Sequence, residues 1–279
     1  NPTGLDARSI TLKRVMDMND RALRKIVVGL GGRGFGVPRE TGFEITAASE
    51  VMAALCLADD LRHLREKLGG ILVGLTRERR PVFARDLKAH GAMAALMHDA
   101  IRPNLVQTSE GNAALMHGGP FANIAQGTNS IIATRMGLSL AEFAVTEAGF
   151  GFDLGGEKFL NLKCGYAGLS PRVVVLVATV RALKFHGGVP LKQLGDADTT
   201  AVEKGFANLA RHIESVRAFG REPIVSINQF TSDTAAELRT VVRLCAQAGV
   251  SAAVANVFER GGAGAEDLAS LVARAAGEP

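Results

Sequence analysis

The sequence contains no tryptophan, one tyrosine and three cysteines in 279 residues. With aromatics at 5%, it lacks the stacking platforms on which single-stranded nucleic acids bind, and no nucleic-acid partner is expected. Cys56, Cys164 and Cys245 are far apart and odd in number, so they suit neither a disulfide framework nor a metal knuckle. A reducing cytoplasm is the expected compartment. No stretch approaches the roughly 18 uninterrupted apolar residues of a spanning helix, and Asn1 to Ser9 has neither the basic nor the apolar region of a signal peptide. No membrane partner is expected. A Gly-Lys dipeptide is absent, which excludes a Walker-type phosphate loop within these residues. The histidines His63, His90, His98, His117, His186 and His212 never stand in H-E-x-x-H or comparable spacing, so no metal site is expected, and a G-x-S-x-G nucleophile elbow is missing too. Neither sign of charge dominates. Lys and Arg number 32 against 28 Asp and Glu, a net charge of +4 that suits anionic small molecules.

Apolar residues make up 47% of the chain and charged residues 22%, enough to bury a substantial core. Runs rich in Val, Ile and Leu read as strands at Ile26 to Leu30, Ile71 to Leu75, Leu105 to Thr108, Val173 to Val180, Ile224 to Ile227 and Val250 to Val257. Helical spacing links Val51, Leu55, Leu61, Leu64 and Leu68, and again Val202, Phe206, Leu209, Ile213 and Val216. Further helices are expected from about Arg85 to Asp99, Asn123 to Met136, Thr234 to Gln247 and Glu266 to Ala276. The alternation predicts an α/β fold with a mainly parallel sheet flanked by helices. A polar stretch near Lys192 to Thr200 suggests a surface loop joining two parts. The turn sequence opening at Asn1 reads as a cut start, and Gly277-Glu278-Pro279 as the end of the last helix.

Gly29-Leu30-Gly31-Gly32-Arg33-Gly34 satisfies G-x-G-x-x-G after an apolar run, but Phe35-Gly36-Val37-Pro38 cannot open the helix that a dinucleotide needs. A turn-forming loop is expected there. The segment from His117 to Ser130 turns on Gly118 and Gly119, places Pro120 near an expected helix start and presents Asn123, Thr128, Asn129 and Ser130. Two readings stand level: an anion site using His117, Gly118, Gly119 and Asn123, or a capped connection whose side chains satisfy backbone groups. A second segment, Thr146 to Phe159, sets four glycines among Phe150, Phe152 and paired charges. Its glycines permit close backbone approach, while exposed charges in loops usually bind nothing.

Taken in order, these segments resemble formate–tetrahydrofolate ligase over essentially the whole chain. The resemblance is carried by Asp17 to Arg24, Gly36 to Phe43, Ala48 to Ala53, Pro103 to Thr108, His117 to Ala125, Thr146 to Phe159 and Val177 to Lys184. It departs from the family pattern at Gln126 and Thr128, in place of His and Cys, at Phe152 and Gly156, in place of alanines, at Thr231, in place of Pro, and at Gly165, where a basic residue is common.

The resemblance implies ATP-dependent joining of formate to tetrahydrofolate through formyl phosphate. It implies Mg-ATP as substrate, a monovalent cation (K or NH4), no redox cofactor, tetrahydrofolate in its polyglutamate form and a homotetramer. A P-loop NTPase-like parent fold with a second α/β domain is implied, residues 1–195 belonging to the central part and 196–279 to the start of the C-terminal domain. The family's phosphate loop and its Lys lie N-terminal to the matching part, so these residues alone are expected to be inactive, and the uncovered apolar sheet surface to make them poorly soluble. Phe150, Gly151 and Gly155 match the region beside formyl phosphate. Phe230 matches a ring that helps sandwich a flat ring system of the folate or nucleotide, and Phe258 stands where the family commonly has Trp. The alternative carried with this reading is a noncatalytic folate- or nucleotide-binding protein.

Overall fold

The computed structural model describes residues 2–277. Asn1, Glu278 and Pro279, on which the readings of a cut start and of the terminal residues bear, lie outside the described residues. The chain forms two compact units that meet in sequence between Leu169 and Ser170.

In the first unit, β1 (Arg14–Val15) lies parallel to β4 (Phe43–Glu44), while β2 (Ile26–Val28) pairs antiparallel with β3 (Arg39–Thr41). The glycine loop of residues 29–34 therefore sits within a hairpin connection, as expected of a turn and contrary to a dinucleotide site. The helix expected through Leu68 is two, α1 (Glu50–Cys56) and α2 (Leu61–Gly69). Asp60 breaks it, because its carboxylate accepts the His63 N–H at 2.7 Å and caps the second helix. The strands β5 (Leu72–Leu75) and β6 (Pro81–Phe83) form a hairpin, followed by α3 (His90–Leu96), shorter than the helix expected from Arg85. Leu55, Leu64, Leu68, Ile71, Val73, Ala84 and Ala94 make the core between them.

A third hairpin joins β7 (Asn104–Gln107) to β8 (Ala113–Met116), then α4 (Ile131–Leu140) begins under the Ser130 cap. The expectation of a mainly parallel sheet thus fails in this unit, where three of the four strand pairs are antiparallel ribbons of two strands. Apolar runs alone could not tell a buried parallel strand from an uncovered ribbon. Leu105 shows the difference, at 69% exposed on β7. Two single-turn π-type helices, residues 152–156 and 159–164, lead into α5 (Gly165–Ala167).

The second unit holds the expected parallel sheet. Its strands β9 (Val174–Ala178), β10 (Pro223–Asn228) and β11 (Ala252–Ala255) run parallel in the order β11-β10-β9. The helix α6 (Val180–His186) follows β9, so Val180 opens a helix instead of ending the strand. The helix α7 (Thr199–Ala218) buries Val202, Leu209, Ile213 and Val216 as its spacing predicts. After β10 comes α8 (Ala235–Gln247), closed at its start by a capping box of Thr234 and Glu237. After β11 come a short α9 (Val257–Arg260) and α10 (Glu266–Gly277). The polar stretch 192–200 lies inside this unit, between α6 and α7, and β9 before it pairs with β10.

Candidate functional site

The two segments singled out by sequence meet in the first unit. Gly149 donates its N–H to the Gly127 carbonyl at 3.1 Å, and Lys158 Nζ donates to the Ala122 carbonyl. Gly155 is fully packed: a Cβ there would stand 1.6 Å from the Gly149 carbonyl oxygen. The space a side chain would need is filled by the chain itself. Phe150 adopts a left-handed conformation at φ 63° and points an exposed ring outward, and Gly151 beside it is exposed as well. Gly151 turns its carbonyl to the N–H groups of Leu154 and Gly155, which starts the turn that follows.

His117 is buried, its Nε2 at 2.8 Å from the Ala100 carbonyl and its Nδ1 at 2.6 Å from Ser130 Oγ. A carbonyl only accepts, so Nε2 carries the proton and Nδ1 accepts from the Ser130 hydroxyl. Ser130 Oγ in turn accepts the Ala133 N–H at 2.9 Å and caps α4. His117 and Ser130 thus hydrogen-bond each other at the start of α4. The expected helix from Asn123 begins only at Ile131, so Asn123 lies in an exposed turn and the amides capped by Ser130 are not the ones beside Gly118 and Gly119. Gly118 has φ 68° and packs on Cys56, where a Cβ would meet Sγ at 2.2 Å.

Two buried polar side chains in this unit have no hydrogen-bond partner among the described residues. Gln126 is 1% exposed with both amide atoms unpartnered, and Lys163 is fully buried with a free Nζ. Burial holds the Lys163 amine down to about 8, and the same burial pushes the Cys56 thiol beside it up to about 11. The ammonium lies 5.3 Å from the centre of the Phe159 ring. Sequence reasoning missed Lys163, although its place among Phe159, Leu160, Leu162 and Cys164 was a signal.

In the second unit, three connections leave the carboxyl ends of adjacent parallel strands, the position at which open α/β sheets bind ligands. Phe230 follows β10 and Phe258 follows β11, and the two rings are 41% and 89% exposed. Their loops are shaped from within. Gln229 donates to the Ala255 carbonyl at 3.0 Å, Asp233 Oδ2 accepts the Phe230 N–H at 2.9 Å, and Asn256 Nδ2 donates to Glu259 at 2.8 Å. Burial raises the Asp233 carboxyl above its ordinary value, and the neighbouring Glu237 charge adds to the rise.

Beneath the Phe230 loop, Glu237 accepts from Lys184 Nζ at 2.9 Å, the Asp198 N–H at 3.0 Å and the Thr234 N–H and hydroxyl at 2.9 and 2.7 Å. Burial alone would raise this carboxyl, but the four donors together outweigh it and hold it at about 2. Among the described residues no three His, Cys, Asp or Glu side chains converge to hold a metal ion, and no helix is long and apolar enough to cross a membrane.

The sequence profile described as formate–tetrahydrofolate ligase matches residues 1–279. The chain belongs to the formate–tetrahydrofolate ligase family. Among curated relatives carrying that name, a Cereibacter sphaeroides protein is 59% identical over 279 residues, which is 100% of this chain and 50% of the relative. A Methylobacterium protein is 59% identical over 273 residues, 98% of this chain and 49% of its own length. A Zymomonas mobilis protein is 58% identical over 269 residues, 96% and 48% of the two chains. The chain spans about half the length of the ligases it matches.

Proposed function

We propose that these residues form part of a ligase that joins formate to tetrahydrofolate at the cost of ATP. A formate oxygen attacks the terminal phosphorus of ATP, ADP leaves, and formyl phosphate results. The tetrahydrofolate nitrogen then attacks the formyl carbon and gives up its proton, the carbon–oxygen bond to phosphate breaks, and 10-formyltetrahydrofolate and hydrogen phosphate, which carries that proton, are released. Phosphorylation turns a poor leaving oxygen into a good one, and positioned groups take up the charge that develops.

In this reading Phe230 and Phe258 hold the flat ring of the folate, and Phe150 and Gly151, on the turn packed by Gly155, border the formyl phosphate. The observation that carries it is the pair of exposed rings on neighbouring loops at the carboxyl edge of the parallel sheet, in a chain matched end to end by the ligase profile. His117, Gly118, Gly119 and Asn123 stand in this reading as anion-contacting residues, with His117 bonded to Ser130 and Asn123 exposed.

The parent fold is of the P-loop NTPase kind, with residues 1–195 in its central part and 196–279 opening the C-terminal domain. ATP enters with Mg, a monovalent cation assists, no redox cofactor takes part, and the whole enzyme works as a cytoplasmic homotetramer.

The test is a formyl-transfer assay with formate, tetrahydrofolate and Mg-ATP, run on residues 1–279 and on a full-length ligase containing them. Activity in the longer protein alone is the expected result. Folate binding without formyl transfer in both would replace the ligase with a noncatalytic binding protein.

A further inference from the structure

The ring face of Phe230 has a cation beside it that the proposed function leaves unused. Arg181 stands in the first turn of α6, just past the carboxyl end of β9, and its guanidinium carbon lies 5.9 Å from the centre of the Phe230 ring. The side chain is exposed, and among the described residues it makes no ion pair and no hydrogen bond. The charges around it are turned into the fold. Lys184, one helical turn further on, is sealed against Glu237. Asp233 turns Oδ2 to the Phe230 N–H and buries Oδ1, and although the Arg181 charge draws its carboxyl down, the two do not close into an ion pair among the described residues.

At 5.9 Å the guanidinium is within cation–π reach of the ring, and its N–H donors have no protein acceptor among the described residues. Such a fork matches the two oxygens of a carboxylate or phosphate, a geometry that a lysine at the same place would not supply. A flat ligand lying on the exposed Phe230 ring would have this cation within reach.

We infer that Arg181 is the anion-recognition residue of this ring site, binding the oxyanion borne by the flat ligand that stacks on Phe230. The inference rests on the ring-site reading of Phe230 given above. The oxyanion has two possible sources, the glutamate carboxylates of tetrahydrofolate and the phosphates of a nucleotide, and one experiment separates them.

In a full-length ligase containing these residues, Arg181→Met, Arg181→Lys and Phe230→Leu are compared by steady-state kinetics. Tetrahydrofolate, tetrahydropteroate (which lacks the glutamate) and ATP are varied in turn. Arg181→Met is expected to raise KM for tetrahydrofolate about tenfold, with KM for tetrahydropteroate nearly unchanged. Arg181→Lys, keeping the charge without the fork, recovers part of the loss. A rise confined to ATP upholds the inference with phosphate as the oxyanion. Equal rises for tetrahydrofolate and tetrahydropteroate show only lost support for the ring and overturn it. Unchanged KM values in Arg181→Met, beside a raised folate KM in Phe230→Leu, overturn it while leaving the ring site standing. If Phe230→Leu is also without effect, the ring-site reading falls first. Thermal unfolding of Arg181→Met is expected to match the parent, because the side chain is exposed.

Discussion

Lys184 and Glu237 form an ion pair of 2.9 Å in which neither side chain is exposed to solvent. The pair ties three pieces of chain together. Lys184 also donates to the Asp196 carbonyl at 2.9 Å, and Glu237 takes the Asp198 N–H on one side and Thr234 on the other. The loop carrying Phe230, the start of α7 and the helix carrying Arg181 are all anchored at one point.

Lys184→Met should therefore be strongly destabilising, because it strands a buried carboxylate; a loss of about 3–5 kcal/mol is expected. Lys184→Met with Glu237→Leu should lose less than the single variant, as no charge remains to be buried. Urea unfolding of both checks the order. A double variant less stable than Lys184→Met would show that the hydrogen bonds to Asp198 and Thr234 outweigh the charge.

The same carboxylate sets an acid limit. Its folded value of about 2 lies below its ordinary 4.5, so its contribution is present above pH 4.5 and is lost as the pH falls from there toward 2. Glu237→Gln should be less stable at neutral pH yet flatter across that acid window. Unfolding curves taken between pH 2 and 6 decide it, and parallel slopes for the two proteins would sink the assignment.

The second unit was legible in the sequence because its signals agree across levels. Val202, Leu209, Ile213 and Val216 mark one helix face, Thr234 and Glu237 spell a capping box, and the apolar run at 224–227 has helices on both sides of it in sequence. The first unit was harder. Leu105 and Val106 have the composition of a buried strand but sit on a two-stranded ribbon, since composition does not report whether another layer covers a strand. At the candidate site, Phe230 and Phe258 came from the family resemblance alone, as a ring at a strand end otherwise reads as core. Lys163 and Arg181 escaped notice because their roles depend on neighbours far along the chain, Cys56 and Phe230 respectively.

Gly155→Ala tests how the Thr146 to Phe159 segment packs on itself. The added methyl would fall 1.6 Å from the Gly149 carbonyl oxygen, a backbone group that cannot swing aside as a side chain would. The turn carrying Phe150 must shift, at a cost of about 2 kcal/mol or more. Thermal unfolding should show the loss, and proteolysis should quicken within residues 146–159. Wild-type stability in this variant would mean that Gly155 does not pack against Gly149 as described.

Lys163 supplies the remaining prediction. It is fully buried, lacks a hydrogen-bond partner and has its amine held at about 8 instead of 10.5. Below pH 8 it is charged in both states and the folded protein bears the whole penalty of burying an unpaired cation. From pH 8 to 10.5 the unfolded chain binds more protons than the folded one, so stability rises with pH. Cys56 and Cys245 act oppositely, since their raised values of about 11 make the fold lose stability from pH 9 upward. The lysine effect is therefore cleanest between pH 8 and 9. Lys163→Met, which keeps length and drops the charge, should stabilise the protein at pH 7 by about 3 kcal/mol and abolish the rise between pH 8 and 9. Denaturant unfolding of parent and variant at pH 7, 8 and 9 makes the comparison. A variant that is less stable at pH 7 would show that the ammonium is held by an attraction stronger than its desolvation.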